Sequence, residues 1–183
     1  MIDLFYPSKR ILETICDKGI PITTYTLFQP GMKKEQEEKL MRSFLTGLIY
    51  QIAENYNCST KINQIDTGKI LSVPMEVIRN CYSHNPEQTE PIKFGLFMGS
   101  KGICYGFQDS GNYFKSEHTK RIYENKIPII KNKSIENGRQ RFRVGVTNFI
   151  YPYSDLIEVD TKKGVLYCIQ LKESIGMNKS KYL

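Results

Sequence analysis

No apolar run in this 183-residue chain is long enough to cross a membrane, and no internal repeat or low-complexity tract interrupts it. The five cysteines, at positions 16, 58, 81, 104 and 168, form no CxxC pair and no Cys/His ligand spacing. A structural zinc site is therefore not expected, and cysteines lying in apolar runs read as reduced core residues of a cytoplasmic protein. The start, Met1-Ile2-Asp3-Leu4, lacks the basic residues and long apolar centre of a secretory signal. No RNA-binding signature box or zinc-finger spacing is found either. What is present is 40% hydrophobic and 25% charged, the make-up of a globular domain with enough chain to bury a core. The net charge of +7 suits an anionic partner: a nucleotide phosphate, an acidic protein or a nucleic acid. Basic residues concentrate at Arg139, Arg141 and Arg143 and in a tail with Lys172, Lys179 and Lys181.

Periodicity divides the chain. Ile11, Leu12 and Ile15 recur at helical spacing and predict a short helix from Ser8 to Cys16. Ile20–Phe28 is β-branched and aromatic and reads as a strand, with Pro21 placing it at a sheet edge. A helix is expected over Lys34–Asn55, where Leu40, Met41, Phe44, Leu45, Leu48, Ile49, Ile52 and Ala53 make one apolar stripe. After a polar stretch, Ser72 is the expected N-cap of a second helix with Pro74 in its first turn. Ile92–Met98 and Ile103–Gln108 read as a hairpin, and Asp155–Asp160 with Val165–Leu171 as another. Between the hairpins, Asn112–Arg143 shows no sustained period apart from a short helix at Ser116–Asn125. The run of strand, helix, helix, hairpin, short helix, hairpin implies an α/β two-layer sandwich. Its sheet is expected to be mixed but mainly antiparallel, with the two long helices on one face.

Within the second helix, Glu76, Asn80 and His84 stand four residues apart and so share one face. A carboxylate there can polarise a water or hydroxyl, and an amide oxygen can coordinate a hard cation such as Mg²⁺. The competing reading is an ordinary helix showing a polar edge to water. Farther on, Asp109 ends a strand before Ser110 and Gly111, where a buried carboxylate can accept a hydrogen bond from an exocyclic amine. Gly145 opens a further short helical stretch.

In this order the boxes resemble the GHKL ATPase superfamily, and within it the small anti-sigma-factor serine kinases. That branch carries Glu-x-x-x-Asn-Ala-x-x-His-Gly, against Glu76-Val77-Ile78-Arg79-Asn80-Cys81-Tyr82-Ser83-His84-Asn85 here. Its Asp-x-Gly-x-Gly box is matched by Asp109-Ser110-Gly111-Asn112-Tyr113, and its closing glycine turn, helix and hairpin by Val144-Gly145 through Val165. The resemblance covers about residues 20–172. It implies a histidine-kinase-like ATPase domain over that span, an N-terminal helical extension at 1–19 and a basic C-terminal tail at 173–183. It further implies ATP and Mg²⁺ as cofactors, with Glu76 as catalytic base and Asn80 as metal ligand. Asn80, His84, Asp109, Gly111, Gly145 and Thr147 are then nucleotide contacts, and the basic connection before Val144 is a lid over the phosphates. Asn85, Tyr113 and Arg143 stand where the family has glycines, which sets turnover apart from binding.

Three functions follow. The first is an ATP-binding domain acting as a serine kinase or ATPase, with a protein partner and, as in the anti-sigma kinases, a homodimer. The second keeps the fold without the chemistry, as an interaction module for a protein partner. The third, a nucleic-acid-binding protein, rests on charge and twelve tyrosines alone.

Overall fold

The computed structural model describes residues 4–28, 34–56, 67–84, 90–109, 111–124, 146 and 150–175. Four helices, α1 (Lys9–Ile15), α2 (Lys34–Asn55), α3 (Thr67–His84) and α4 (Glu117–Glu124), accompany five strands. The strands are β1 (Ile22–Phe28), β2 (Ile92–Met98), β3 (Gly102–Gln108), β4 (Leu156–Asp160) and β5 (Val165–Leu171). They form one sheet in the order β1-β2-β3-β5-β4. Every pairing is antiparallel, so the sheet is not mixed as expected. Two helices separate β1 from β2, and a path out along one and back along the other returns the chain to the end it left. Phe28, which closes β1, accordingly pairs with Ile92, which opens β2. No helix among the described residues is long and apolar enough to cross a membrane.

Alternation along the central strands fills two cores. Phe94, Leu96 and Met98 of β2, Ile103, Tyr105 and Phe107 of β3, and Leu166 and Cys168 of β5 point to one face. There they meet Leu48, Ile52 and Ala53 of α2 and Ile70, Val73, Val77, Ile78 and Cys81 of α3. The long helices thus share a face, as their stripes imply. The other face is not bare, however, which corrects the expectation of helices on one side only. Phe97, Cys104, Val165, Tyr167 and Ile169 are buried there against Phe5 and against Ile11 and Ile15 of α1. Burial on both faces is why β2, β3 and β5 read as nearly continuous apolar runs.

The N-terminal segment is seated by close approach. Gly95 and Gly106 pair across β2 and β3, and a Cβ built on Gly106 would overlap the Phe5 ring. Edge-to-face contacts from Phe5 to Tyr25, Phe97 and Tyr167, with centroids 5.7, 6.2 and 6.0 Å apart, complete the notch. The Tyr25 hydroxyl donates to the Phe5 carbonyl, and Tyr167 Oη donates to the Tyr6 carbonyl at 3.1 Å. Ser8 caps α1 by accepting from the Ile11 N–H at 3.4 Å, and Arg10 pairs with Glu158 on β4.

Helix α3 starts at Thr67, five residues before the expected cap, so Pro74 lies inside it. Ser72 is not a cap; its hydroxyl donates back to the Gly68 carbonyl at 2.6 Å, four residues earlier. Proline has no N–H, so the Ile70 carbonyl loses its helical donor. The buried Tyr105 hydroxyl fills that place, 3.2 Å from Ile70 O and 3.0 Å from Gln170 Oε1, with one proton between two acceptors. Gln170 Nε2 donates in turn to the carbonyls of Lys69 (2.8 Å) and Tyr153 (2.6 Å). The break in the helix is thereby tied to β3 and β5. Tyr105→Phe should destabilise the fold by about 1–3 kcal/mol, because buried acceptors lose their donor while the packing volume is kept. Urea midpoints of the two proteins measure this, and coincident midpoints would show that the hydroxyl holds nothing.

Candidate functional site

Anchored in this way, α3 turns its Glu76–Asn80 stripe inward. Glu76 is 7% exposed and Asn80 4%, which rules out a polar edge facing water. The Glu76 carboxylate accepts from Arg79 Nη1 at 3.5 Å, one helical turn away, while the arginine itself is largely in solvent. Burial raises the Glu76 pKa above the ordinary carboxylate value, and Arg79 opposes the rise. Glu76 is therefore a buried carboxylate with Arg79 as a counter-ion at the surface. His84 is the last residue of α3, and its side chain lies outside the described residues.

Asp109 follows β3 directly and is 3% exposed. Neither of its carboxylate oxygens has a hydrogen-bond partner of normal geometry, and Asn80 Nδ2 has none either. Burial lifts the Asp109 pKa to about 6; the backbone N–H groups of Phe114 and Tyr113 and the Lys115 ammonium pull it back only in part. Opposite stands Cys81, next to Asn80 on α3. Its thiol is pushed well above the usual range by burial and then by the Asp109 charge. Two further orphaned buried atoms are Gln108 Oε1, beside Asp109 in sequence, and Ser154 Oγ, which lies near the Cys168 thiol. Three of these five atoms, those of Asp109 and Asn80, belong to the place where α3 meets the end of β3.

The segment after Asp109 supplies the rest of the wall. Gly111 is half-buried there. Tyr113, Phe114 and Tyr123 form an aromatic group, with centroids 4.9 Å (113 to 114), 6.5 Å (113 to 123) and 6.0 Å (114 to 123) apart. The Tyr113 and Tyr123 hydroxyls lie 3.4 Å apart, and that of Tyr123 also sits beside the Asn80 side chain. Burial raises both phenol pKa values, and the Tyr113 phenol is within electrostatic reach of Asp109 and Cys81. Helix α4 holds Tyr123 in place, because Glu124 Oε1 at its end accepts from the Val159 N–H of β4 at 2.7 Å. Glu117 at its start accepts from Thr161 Oγ1 at 3.2 Å.

Of the residues expected at the site, Glu76 and Asn80 share the inward face of α3, and Asp109 lies across from Cys81 on that helix. Gly111 opens the adjoining wall. Gly145 and Thr147 lie outside the described residues, as does the basic stretch 125–143 of the expected lid. Tyr113, Tyr123 and Cys81 were not singled out as site residues by the sequence; a signal for Tyr123 exists in the four-residue spacing of the buried Thr119 and Tyr123 on α4. Among the described residues no group of three or more His, Cys, Asp and Glu is arranged to hold a metal. Cys16, Cys81, Cys104 and Cys168 are buried free thiols, consistent with reduced core residues. Comparison with known proteins found no matching family model, no matching curated sequence and no matching solved structure.

A carboxylate that titrates higher in the fold than in the unfolded chain contributes stability at low pH and loses it on ionising. For Asp109 that loss runs from its ordinary value of 3.8 up to about 6. Roughly two pH units correspond to about 3 kcal/mol. Asp109→Asn should therefore be as stable as wild type near pH 3.5 and more stable by about 1–3 kcal/mol at pH 7. Urea midpoints across this range would show the two curves diverging; parallel curves would mean that Asp109 is solvated.

Proposed function

We propose that this chain binds an adenine nucleotide with Mg²⁺ between α3 and the end of β3, on the GHKL pattern. The observation that carries the reading is the pairing of orphaned groups at that junction. The Asp109 carboxylate and the Asn80 Nδ2 donor are buried with no hydrogen-bond partner of normal geometry, and Glu76 lies one turn from Asn80 on the same face. Asp109 offers a charge-assisted acceptor to the exocyclic amine of a purine. Asn80 lies on the buried face of α3, and its side-chain oxygen would hold the cation against the phosphates. Bound Mg²⁺ supplies charge neutralisation for the phosphates. Glu76 is held in its rotamer by burial and Arg79, and its raised pKa brings it nearer the range of a working base. In the anti-sigma kinases the acceptor is a serine on a protein partner, and the same reaction is the proposal here. The resemblance also supports a homodimer.

A second reading, an interaction module without turnover, draws on the ion pair that already engages Glu76 and on Tyr113 in place of a glycine. The net charge of +7 alone supports nucleic-acid binding, and a filter-binding salt series would expose it.

Calorimetry with ATP and Mg²⁺ should give saturable binding to wild type. Asp109→Asn should weaken it about ten- to a hundredfold, the loss of one hydrogen bond to a charged group. Asn80→Ala should remove the Mg²⁺-dependent part of the affinity. Glu76→Ala should keep binding yet lower any hydrolysis or phosphotransfer by about 10²–10⁴. Wild-type protein that gives no heat and no rise in melting temperature with ATP and Mg²⁺ would leave the interaction module as the better reading.

A further inference from the structure

The Asp109 carboxylate oxygens and Asn80 Nδ2 are sealed from solvent and lack a hydrogen-bond partner of normal geometry. No ligand donor reaches a group in that state unless part of the wall moves. The backbone on both sides is fixed, by the β3 ladder and by the Tyr105–Gln170 anchor of α3. Of the three aromatic side chains in the wall, Phe114 and Tyr123 are fully buried in the main core, and Tyr123 is carried on a helix tied to β4. Tyr113 differs from both. It is only half-buried, it lies in the turn between β3 and α4 rather than on either element, and its hydroxyl is 3.4 Å from that of Tyr123. Its phenol is also the one close enough to feel both Asp109 and Cys81.

We propose that Tyr113 is a gate: its ring occupies the place beside Asp109 that an incoming base must take, and ligand enters only when the ring swings outward. The inference rests on the nucleotide reading for the identity of the ligand, but not for the existence of the gate. A ring that must leave before binding makes the competent state a minor one, and the apparent affinity falls by its population. The residue would then set affinity and access without touching the phosphates or the metal.

Cys81 provides a readout that needs no nucleotide, since its thiol is buried behind this wall. Wild type, Tyr113→Ala and Tyr113→Phe would be treated with methyl methanethiosulfonate, with the modified cysteine identified by peptide mapping. For an open state populated at roughly one to ten per cent, removing the ring should speed Cys81 labelling at least about tenfold and tighten ATP–Mg²⁺ binding by a similar factor. Tyr113→Phe keeps the ring and loses only the hydroxyl contact, so it should fold normally and show a smaller rise. If Tyr113→Ala proves unfolded, a rise in the phenylalanine variant carries the test. Cys81 labelling unchanged in every folded variant overturns the gate, whatever ATP does. Faster labelling with no ATP binding to any of the proteins leaves the gate standing and removes the nucleotide reading instead.

Discussion

The carbonyl that Pro74 strips of its helical partner is the point on which the placement of the site depends. A proline inside a helix normally costs several kcal/mol, part of it from the carbonyl left unbonded four residues earlier. Here the Tyr105 hydroxyl and the Gln170 amide, both on central strands, meet the carbonyls of Ile70 and Lys69. The repair is not local: it joins α3 to β3 and β5 at one depth and one rotation. From that anchor the helix runs on for about two turns to Glu76 and about three to Asn80. A hydroxyl and an amide inside an apolar core are costly unless satisfied, so the anchor specifies one helix register over its neighbours. A slip of one residue would leave Tyr105, Gln170 and the carbonyls unpaired together.

Sheet burial on both faces imposes the second constraint. With Phe94, Leu96, Tyr105 and Leu166 on one side and Phe97, Tyr167 and Ile169 on the other, β2, β3 and β5 need cover twice. The long helices cover the site's side. Among the described residues, the remaining side is covered by a thirteen-residue stretch from Leu4 to Cys16, which is held by fit. Phe5 sits where the facing glycines leave room, and Gly99 lets the end of α1 come within contact distance, since a Cβ there would overlap the Ile15 carbonyl. Lys101 extends the seam, with its N–H bonded to the Ile15 carbonyl at 2.8 Å and its ammonium on the Glu13 carbonyl at 2.6 Å. The exposed Arg10–Glu158 pair adds little energy of its own and serves mainly to orient α1.

Local periodicity was a sound guide where local forces decide. The stripe of α2, both hairpins and the four-residue spacing of Glu76 and Asn80 were legible because burial of one face writes itself into the sequence. The start of α3 was misread because Pro74 looked like a first-turn proline, and the Ile70 carbonyl's partner lies thirty-five residues away. Cover for the second sheet face was missed for a similar reason. Nothing in a seven-residue helix announces which face of which sheet it will meet, and the notch for Phe5 exists only after Gly95 and Gly106 have paired. At the site, the sequence pointed to Asp109 and Asn80 as chemistry but showed Tyr113 only as a missing glycine. Its ring has a meaning only beside Tyr123, which arrives on a separate helix.

What sets the α3–β3 junction apart is that it spends stability where the rest of the molecule conserves it. Several buried polar groups elsewhere are answered: Gln170 by two carbonyls, the Tyr105 hydroxyl by two acceptors, the Tyr56 hydroxyl by the carbonyls of Gly99 and Gly102 at 2.8 Å each. At the junction the Asp109 carboxylate and the Asn80 Nδ2 are enclosed with no partner of normal geometry, at a cost of about 1–3 kcal/mol for each unsatisfied group. A core under selection for stability alone would replace Asp109 and Asn80 with apolar residues of similar volume, which is often neutral or stabilising. Keeping an acid and an amide there, beside a core that answers Gln170, Tyr105 and Tyr56, makes sense if their partner is a molecule that comes and goes. The aromatic wall fits the same logic, because apolar rings close the space in its absence without competing for the hydrogen bonds it will make.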